Sequence, residues 1–124
     1  MLTMDPHLHD QILGAVSHLP HVAAFALMNA LSELRDQELS SLNLAAHSGG
    51  GLRDTTRIAA SSPEMWRDIS LANREALLGE IDAYQKELLL LKMLLDTQDE
   101  RGLQALFERA SHARQQWGKD RESQ

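Results

Sequence analysis

The sequence predicts an all-α fold of about five helices, and three observations support this prediction. Apolar residues recur at spacings of three and four along most of the 124-residue chain, which is the period of a helix with one buried face. No segment alternates apolar and polar residues as a half-buried strand does. Proline and capping residues precede the apolar segments, where helices usually begin. A chain of this length fits one domain.

The first helix is expected to begin at Asp5 and Pro6. Aspartate caps free N–H groups, and proline at the first helical position loses no hydrogen bond. Pro20 removes an internal hydrogen bond, so it should kink this helix or begin a second one. The next segment should end before the glycines at 49–51. Its apolar residues at helical spacing are Leu27, Ala30, Leu31 and Leu34.

A further helix is expected to begin near residue 62 and to carry Trp66. Two caps compete for its start. Ser61 and Glu64 match the S-x-x-E capping box. Ser62, followed by a proline, offers a cap one residue later.

The longest uninterrupted apolar pattern, from about Asn73 to Thr97, predicts a long leucine-rich helix. One strip consists of Leu77, Ile81, Tyr84, Leu88, Leu91 and Leu95. A second strip consists of Leu78, Leu89, Leu90, Met93 and Leu94. A surface helix needs one apolar strip, so two strips indicate burial on two sides. In a chain this small, we expect the second side to face another subunit.

Asp99 predicts the cap of a last helix. The apolar positions of that helix are Leu103, Leu106, Phe107 and Ala110. The polar tail GKDRESQ, residues 118–124, is expected to fray, as chain termini commonly do.

Composition and charge exclude several classes of function. The net charge of −6 argues against a nucleic-acid-binding domain, which usually shows a basic patch. The chain has no cysteine, so it forms no disulfide or zinc–thiolate site. The amino terminus lacks the features of a signal peptide. The longest apolar run is broken by Lys92 and is too short to span a bilayer, so we expect a cytoplasmic protein with no membrane partner.

Three histidines, His9, His18 and His21, fall within thirteen residues. His18 and His21 share a face if they lie on one helical turn. A metal pair is one interpretation, although metal sites usually need further ligands. Capping and core packing are the commonest roles of a histidine. A face that binds an anion or handles a proton is the third interpretation, since histidine titrates near neutral pH.

The segment HSGGGLRDTTR, residues 47–57, combines three glycines with two arginines and an aspartate. Glycine lets a ligand or a neighbouring chain approach the backbone closely, although one glycine suffices to end a helix. Arg53 and Arg57 share a face on a helical turn. A guanidinium matches a carboxylate in bidentate fashion, and Asp54 can hold one arginine in place. The pattern fits both a small anionic ligand and a solvated charge cluster with an internal ion pair.

Two long motifs resemble those of a known family. HDQILGAVSHLPHVAAFAL and SGGGLRDTTRIAASSPEMWRDI, followed by Asn73 and a leucine-rich helix, resemble the C-terminal domain of prephenate dehydrogenase over about residues 4–112. The resemblance implies an all-helical domain that forms an intertwined homodimer and completes the prephenate site beside a Rossmann domain, which binds NAD or NADP. It implies oxidative decarboxylation of prephenate to 4-hydroxyphenylpyruvate in tyrosine biosynthesis. Some relatives prefer arogenate.

The resemblance implies roles for four residues of this chain. His21 is implied to help bind the substrate. Arg57 matches the arginine that grips a carboxylate of prephenate, and Asp54 matches the ionic partner of that arginine. Trp66 matches a tryptophan near the substrate pocket. In one arrangement that the resemblance allows, its side chain reaches across the dimer.

Other matching positions carry less specific implications. His18 and His9 match histidines near the same face, where a structural role is an equal alternative to substrate binding. The three glycines, Gly49, Gly50 and Gly51, match a loop near which tyrosine exerts feedback inhibition in some members. Arg53 lies where the family varies, so the resemblance assigns it no role.

The nucleotide-binding half of the family is not found in these 124 residues. No G-x-G-x-x-G motif follows a strand, and the catalytic histidine of the family and its neighbouring serine lie in that half. We therefore expect a single helical domain, 1–124, that binds no cofactor or metal and is inactive without the nucleotide-binding domain, whether as an excised domain or a separately encoded half. The alternatives are a purely structural dimerisation module with no ligand site and a domain of an arogenate-preferring dehydrogenase.

Overall fold

The computed structural model describes residues 5–36 and 49–122, and every element within these ranges is helical. The α-helices are α1 (Pro6–Leu13), α2 (Leu19–Asp36), α3 (Gly50–Thr56), α4 (Pro63–Ala72), α5 (Arg74–Asp96) and α6 (Glu100–Glu122). A π segment, Gly14–His18, joins α1 to α2 without a break, and a 3₁₀ turn, Arg57–Ala60, follows α3. With α1, the π segment and α2 counted as one helix, the described ranges contain five helices and no strand, which confirms the predicted fold class.

The first helix begins as predicted and changes its hydrogen bonding ahead of Pro20. The Asp5 carboxylate accepts a hydrogen bond from the Leu8 N–H at 3.3 Å, and a proline occupies the first helical position. Pro20 neither breaks the helix nor begins a new one. The Leu19 N–H donates to the Gly14 carbonyl five residues back. This wider π turn lets the helix continue through a residue that supplies no N–H.

The glycine-rich segment is mostly helical rather than a loop. Gly49 is extended, with φ −89° and ψ 178°, and Gly50 and Gly51 form the first turn of α3. No described glycine has a positive φ. A Cβ atom added at any of these three glycines would meet no heavy atom within 4 Å, so packing among the described residues does not require glycine here. Residues 37–48, which include the start of the HSGGGLRDTTR motif, lie outside the described residues.

The structure shows which of the two predicted caps begins α4. The Ser62 hydroxyl oxygen accepts a hydrogen bond from the Met65 N–H at 3.3 Å. The Ser61 hydroxyl instead donates to the Ile58 carbonyl at 2.6 Å and ends the 3₁₀ turn. The cap is therefore Ser62, since the proline that follows it has no N–H to leave unsatisfied.

A tight turn joins α5 to α6. The Gln98 N–H donates to the Leu95 carbonyl at 3.1 Å. The Asp99 N–H donates to the Leu94 carbonyl at 2.9 Å, which completes a Schellman motif. Gln98 has a φ of 54°, a left-handed conformation in which glycine is usual. The Asp99 carboxylate accepts from the Gly102 N–H at 2.9 Å, which confirms Asp99 as the cap of the last helix.

The last helix is longer than the sequence predicts. α6 runs to Glu122, through the tail that is expected to fray from residue 118. The tail contains one glycine and no proline. A single glycine costs a helix only about 1 kcal/mol relative to alanine, so the helix continues past it.

Backbone contacts divide the chain into two units, Met1–Ile81 and Asp82–Gln124. In the first unit, α2 packs against α3 and the 3₁₀ turn. The buried apolar side chains of that unit are Ala24, Trp66 and Leu77. In the second unit Leu94 is buried, and a Cβ atom on Gly102 would lie only 2.6 Å from its Cδ2 atom. Glycine therefore allows α6 to approach α5 closely. The predicted single domain stays a prediction.

Many large apolar side chains of α5 and α6 are exposed. The exposed fraction is 50% for Leu88, 65% for Leu89 and 53% for Met93. Other exposed members are Leu78, Tyr84, Leu95, Phe107 and Trp117. Both strips predicted for the leucine-rich helix thus contain side chains that the described residues leave uncovered. Extended apolar surface of this kind marks an interaction site.

One helical stretch of the described residues, Pro6–Glu33, is long and apolar enough to cross a membrane by length and composition alone. Its mean hydropathy is 1.3 over an 18-residue window. The stretch carries polar side chains, among them Asp10, His18 and His21, and such groups are costly in a bilayer core. Length and composition alone do not make this stretch a membrane span, and the expected absence of a membrane partner stays a prediction.

Replacing Gln98 with glycine should stabilise the fold. A left-handed conformation costs a residue with a side chain roughly 1–2 kcal/mol, whereas glycine loses up to about 1 kcal/mol through its greater freedom in the unfolded chain. We expect the free energy of unfolding to rise by ~0.5–1 kcal/mol, measured by urea denaturation at a fixed protein concentration.

The Gln98→Ala variant is the matched control. Alanine removes most of the side chain but keeps the strain of the left-handed conformation, so its stability should stay close to that of the unmodified chain. Equal stabilities of the glycine and alanine variants would contradict the conformation described for this turn.

Candidate functional site

His18 and His21 lie where the π segment meets α2, and each is half-buried. Their spacing of three residues places them on one face of the helix. The Nδ1 atom of His21 lies 2.9 Å from the carbonyl oxygen of Ser17. Because a carbonyl oxygen only accepts, Nδ1 carries a proton and donates it, which leaves Nε2 as the second polar atom of the ring. The helix backbone thus fixes the orientation of His21.

Trp66, in the first turn of α4, packs against both histidines. Its ring centroid lies 4.0 Å from that of His21, and the planes differ by 16°, which is a stacked arrangement. The His18 ring meets the same indole edge-on, at a centroid distance of 6.0 Å and an angle of 80°. The fold therefore brings together three of the residues that the sequence suggests for the site, and we call these three residues the His–Trp cluster.

The indole N–H of Trp66 is buried and has no hydrogen-bond partner among the described residues. Only 8% of the Trp66 surface is exposed. A buried donor without an acceptor costs about 1–3 kcal/mol, and native structures seldom leave one. The Nε1–H of Trp66 is therefore a buried donor that the described residues leave without an acceptor.

Asn73 joins the His–Trp cluster, although the sequence analysis assigns it no role in the site. Its side-chain Nδ2 donates to the Asp10 carbonyl at 2.7 Å and lies 3.1 Å from Nδ1 of His18. The signal that could have found it is the position of an asparagine between two apolar helical patterns. An asparagine at the junction of two helices can use its side-chain amide for hydrogen bonds to other parts of the chain.

Arg57 begins the 3₁₀ turn and Asp54 lies in α3, and both side chains are exposed. No ion pair between them is found within residues 5–36 and 49–122. The hydroxyls of Thr55 and Thr56 donate to carbonyls four residues back, each at 2.7 Å, so their donors are used within the helix. The pairing of Asp54 with Arg57 and the role of each in binding stay predictions.

Helix α2 connects the two groups of predicted site residues. It carries His21 in its first turn, and it packs against α3 and the 3₁₀ turn that Arg57 begins. The three glycines, 49–51, lie at the opposite end of α3 from Arg57 and have open space around them. Their implied part in inhibition by tyrosine stays a prediction.

The histidines do not form a metal cluster with carboxylates in the described part of the chain. No group of three or more His, Cys, Asp or Glu side chains there is placed to hold a metal ion. The Nδ1 atoms of His18 and His21 already make hydrogen bonds, and His9 is exposed on α1. The arrangement gives the metal interpretation no support.

Two surface clefts of the described residues are lined by other side chains. One of about 550 Å³ has polar lining residues that include His7, Asp10, Asn73, Arg74 and Glu75. The other, of about 520 Å³, runs along α6 and is lined in part by Phe107 and His112. None of the site residues suggested by the sequence lines either cleft. Asn73 belongs both to the first cleft and to the contacts of the His–Trp cluster.

Comparison with known proteins places the chain in a family. The model of the family described as "Prephenate dehydrogenase, dimerization domain" matches residues 5–109. The chain is 37% identical over 111 residues to a cyclohexadienyl dehydrogenase of Zymomonas mobilis, a match that covers 90% of this chain and 37% of the relative. The chain spans about a third of the length of each curated relative that it matches.

Two solved structures share the fold. A prephenate dehydrogenase from A. aeolicus, in complex with hydroxyphenyl propionate and NAD+, is 40% identical with a TM-score of 0.81, over 91% of this chain and 38% of that one. An arogenate dehydrogenase from Synechocystis is 28% identical with a TM-score of 0.84, over 92% of this chain and 41% of that one. These similarities confirm the resemblance seen in the sequence motifs. The chain belongs to the family of prephenate dehydrogenase dimerization domains.

Proposed function

We propose that this chain forms the dimerisation and substrate-binding part of a prephenate dehydrogenase, an enzyme of tyrosine biosynthesis. That enzyme converts prephenate and NAD(P)+ to 4-hydroxyphenylpyruvate, CO2 and NAD(P)H. The observation that carries the proposal is the stack of His21 on Trp66, two residues for which the family resemblance implies a place at the substrate site. The buried Nε1–H of Trp66 adds a donor that an anionic ligand or a second chain can satisfy.

Prephenate carries two carboxylates, so its site needs fixed positive charge. Arg57 is exposed at the start of the 3₁₀ turn, which packs on the helix that carries His21. In the described ranges no carboxylate forms an ion pair with it. A guanidinium binds a carboxylate through two parallel hydrogen bonds. Arg57 is proposed to bind a carboxylate of prephenate, with Asp54 orienting the guanidinium when the ligand is bound.

The contribution of this chain to the reaction is proposed to be binding and orientation. NAD or NADP accepts the hydride, and the nucleotide-binding domain is proposed to hold it. Dinucleotide sites of this kind are built on a βαβ unit, and residues 5–36 and 49–122 contain no strand. Contacts that hold the substrate ring in a near-attack geometry lower the barrier to hydride transfer. The chain alone is therefore proposed to be inactive.

A second copy of the chain is the proposed partner of the exposed apolar surface of α5. Leu88, Leu89, Met93 and Leu95 each expose half or more of their surface. A twofold interface buries the same surface on both copies, and homodimer interfaces are more apolar than the rest of a protein surface. An intertwined homodimer that pairs the α5 helices covers these side chains, which accounts for both apolar strips of this helix.

Several narrower features belong to the same proposal. The arogenate-preferring alternative is supported by similarity to the Synechocystis arogenate dehydrogenase, and assays with prephenate and arogenate side by side separate the two. Feedback inhibition by tyrosine near the three glycines and a cytoplasmic location are also proposed. A purely structural dimerisation module, the remaining alternative, predicts that changes at Arg57 or His21 leave substrate kinetics unaltered.

The Arg57→Ala substitution tests the substrate-binding proposal. Loss of a charge-assisted hydrogen bond costs about 1.5–3 kcal/mol, and each 1.4 kcal/mol is tenfold in affinity. We expect the KM for prephenate to rise by about 10- to 100-fold in the enzyme formed with the nucleotide-binding domain, while the KM for NAD(P) stays unchanged. Initial rates of NAD(P)H formation give both constants.

Arg67→Ala is the matched control for Arg57→Ala. Arg67 is also an exposed arginine, and its Nε lies 2.9 Å from the carboxylate of the adjacent Asp68. Its removal should leave both Michaelis constants near their original values. An unchanged KM for prephenate in the Arg57 variant would contradict the role proposed for Arg57 and favour the structural module.

The Leu88→Asp substitution tests the dimer. A carboxylate in an apolar interface is desolvated without a partner, and a twofold dimer would hold two of them. We expect sedimentation equilibrium to give twice the chain mass of 13.9 kDa for the unmodified chain. The variant should have a dissociation constant at least about 100-fold higher, which corresponds to a loss of about 3 kcal/mol.

Ala83→Asp is the control for Leu88→Asp. This substitution introduces the same charge on the same helix, at a residue that is exposed in the unmodified chain. Helical geometry places residue 83 about 140° around the helix from Leu88, on the side of Glu87, Leu90 and Leu94, where the two leucines are less exposed than Leu88. This variant should remain dimeric. A monomeric unmodified chain, or equal association of the two variants, would refute the proposed interface.

A further inference from the structure

Asn73 lies between α4 and α5, and its backbone is held by both helices. Its N–H donates to the Ile69 carbonyl at 3.1 Å, and its carbonyl accepts from the Leu77 N–H at 3.0 Å. The backbone thus ends one helix and begins the next. The side chain takes no part in these bonds and reaches residues 63 and 55 positions earlier in the chain.

The bond to Asp10 determines which end of the Asn73 amide faces the histidine. The Asp10 carbonyl, 2.7 Å from Nδ2 of Asn73, can only accept a hydrogen bond. The atom that faces it is therefore the nitrogen of the NH2 group. The same NH2 group lies 3.1 Å from Nδ1 of His18. Since this group has donors and no useful acceptor, Nδ1 of His18 accepts, and the ring proton is on Nε2.

His21 has the opposite arrangement of its ring proton. Its Nδ1 faces the Ser17 carbonyl at 2.9 Å, so Nδ1 carries the proton and Nε2 of the neutral ring is bare. The two histidines contact the same indole ring. One therefore offers an Nε2–H donor beside Trp66, and the other offers an Nε2 acceptor.

We propose that Asn73 is a positioning residue of the substrate site, which fixes His18 as an Nε2–H donor opposite in tautomer to His21. This inference rests on the proposed function of the His–Trp cluster. Asn73 acts through His18, which its side-chain amide contacts. If Asn73 only linked the two helices, the position of the ring proton of His18 would not depend on the Asn73 amide.

The tautomers can be read directly from the unmodified chain. Long-range ¹H–¹⁵N correlation spectra of the ¹⁵N-histidine-labelled protein, recorded above neutral pH, separate protonated from bare ring nitrogens. The loss of signals in His18→Gln assigns His18, and the same approach assigns His21. We expect the proton of His18 on Nε2 and that of His21 on Nδ1. A proton on Nδ1 of His18 would overturn the proposal, and this result requires no folded variant of Asn73.

The Asn73→Asp variant tests whether Asn73 is the cause. A carboxylate has the shape of the amide but only accepts, so His18 should move its proton to Nδ1 or become doubly protonated. Asn29→Asp is the matched control, because Asn29 is an exposed asparagine of α2; it should leave the His18 signals unchanged. Unaltered His18 signals in a folded Asn73→Asp chain would overturn the assignment.

A kinetic measurement connects the tautomer to the site. In the enzyme formed with the nucleotide-binding domain, Asn73→Asp should lower kcat/KM for prephenate at least tenfold relative to Asn29→Asp. An unchanged kcat/KM, with a normal effect of Arg57→Ala, would overturn the positioning role alone. If neither Arg57→Ala nor Asn73→Asp changed the kinetics, the proposed substrate site itself would fail.

Discussion

The apolar surface of α5 is the constraint on which the rest of this structure depends. The chain buries Leu77 in its first unit and Leu94 in its second, yet it leaves Leu88, Leu89 and Met93 half or more exposed. Burial of apolar surface is the main source of folding free energy, and few large side chains of the described residues are buried. A second copy that covers α5 would supply the missing burial. Dimerisation is then part of folding rather than an event that follows it.

The His–Trp cluster is the proposed contribution of the same fold to a binding surface. Trp66 stacks on His21 and is buried, and its N–H has no hydrogen-bond partner among the described residues. The backbone of Ser17 and the amide of Asn73 hold the two imidazoles. Such fixed side chains favour binding, because little conformational freedom remains to be lost when a ligand arrives.

The sequence predicted the parts of the fold that local chemistry determines. The caps at Asp5 and Asp99 and the long leucine-rich helix follow from short-range rules, and the structure confirms them. The π segment ahead of Pro20 was not predicted, because proline geometry allows a kink, a new helix or a wider turn. The helical start at Gly50 was missed because glycine disfavours helices only weakly, by about 1 kcal/mol.

The sequence suggested the residues of the candidate site, and the structure adds the contacts between three of them. His18, His21 and Trp66 were found through motif resemblance, but their stacking depends on how two distant helices pack, which no spacing rule gives. The contact of Asn73 with His18 joins residues 55 positions apart, and although the position of Asn73 between two helices is visible in the sequence, its partner is not. The motif resemblance offers Asp54 as the ionic partner of Arg57; both side chains are exposed, and their pairing stays a prediction.

The most direct test of the central claim is the melting temperature of the unmodified chain as a function of its concentration. When folding and association are coupled, mass action makes the melting temperature rise with protein concentration. Circular dichroism at 222 nm, recorded at two concentrations about 100-fold apart, should show a clear increase at the higher concentration if a second copy completes the fold. A melting temperature independent of concentration would contradict this account, because the chain would then be stable without a partner on α5.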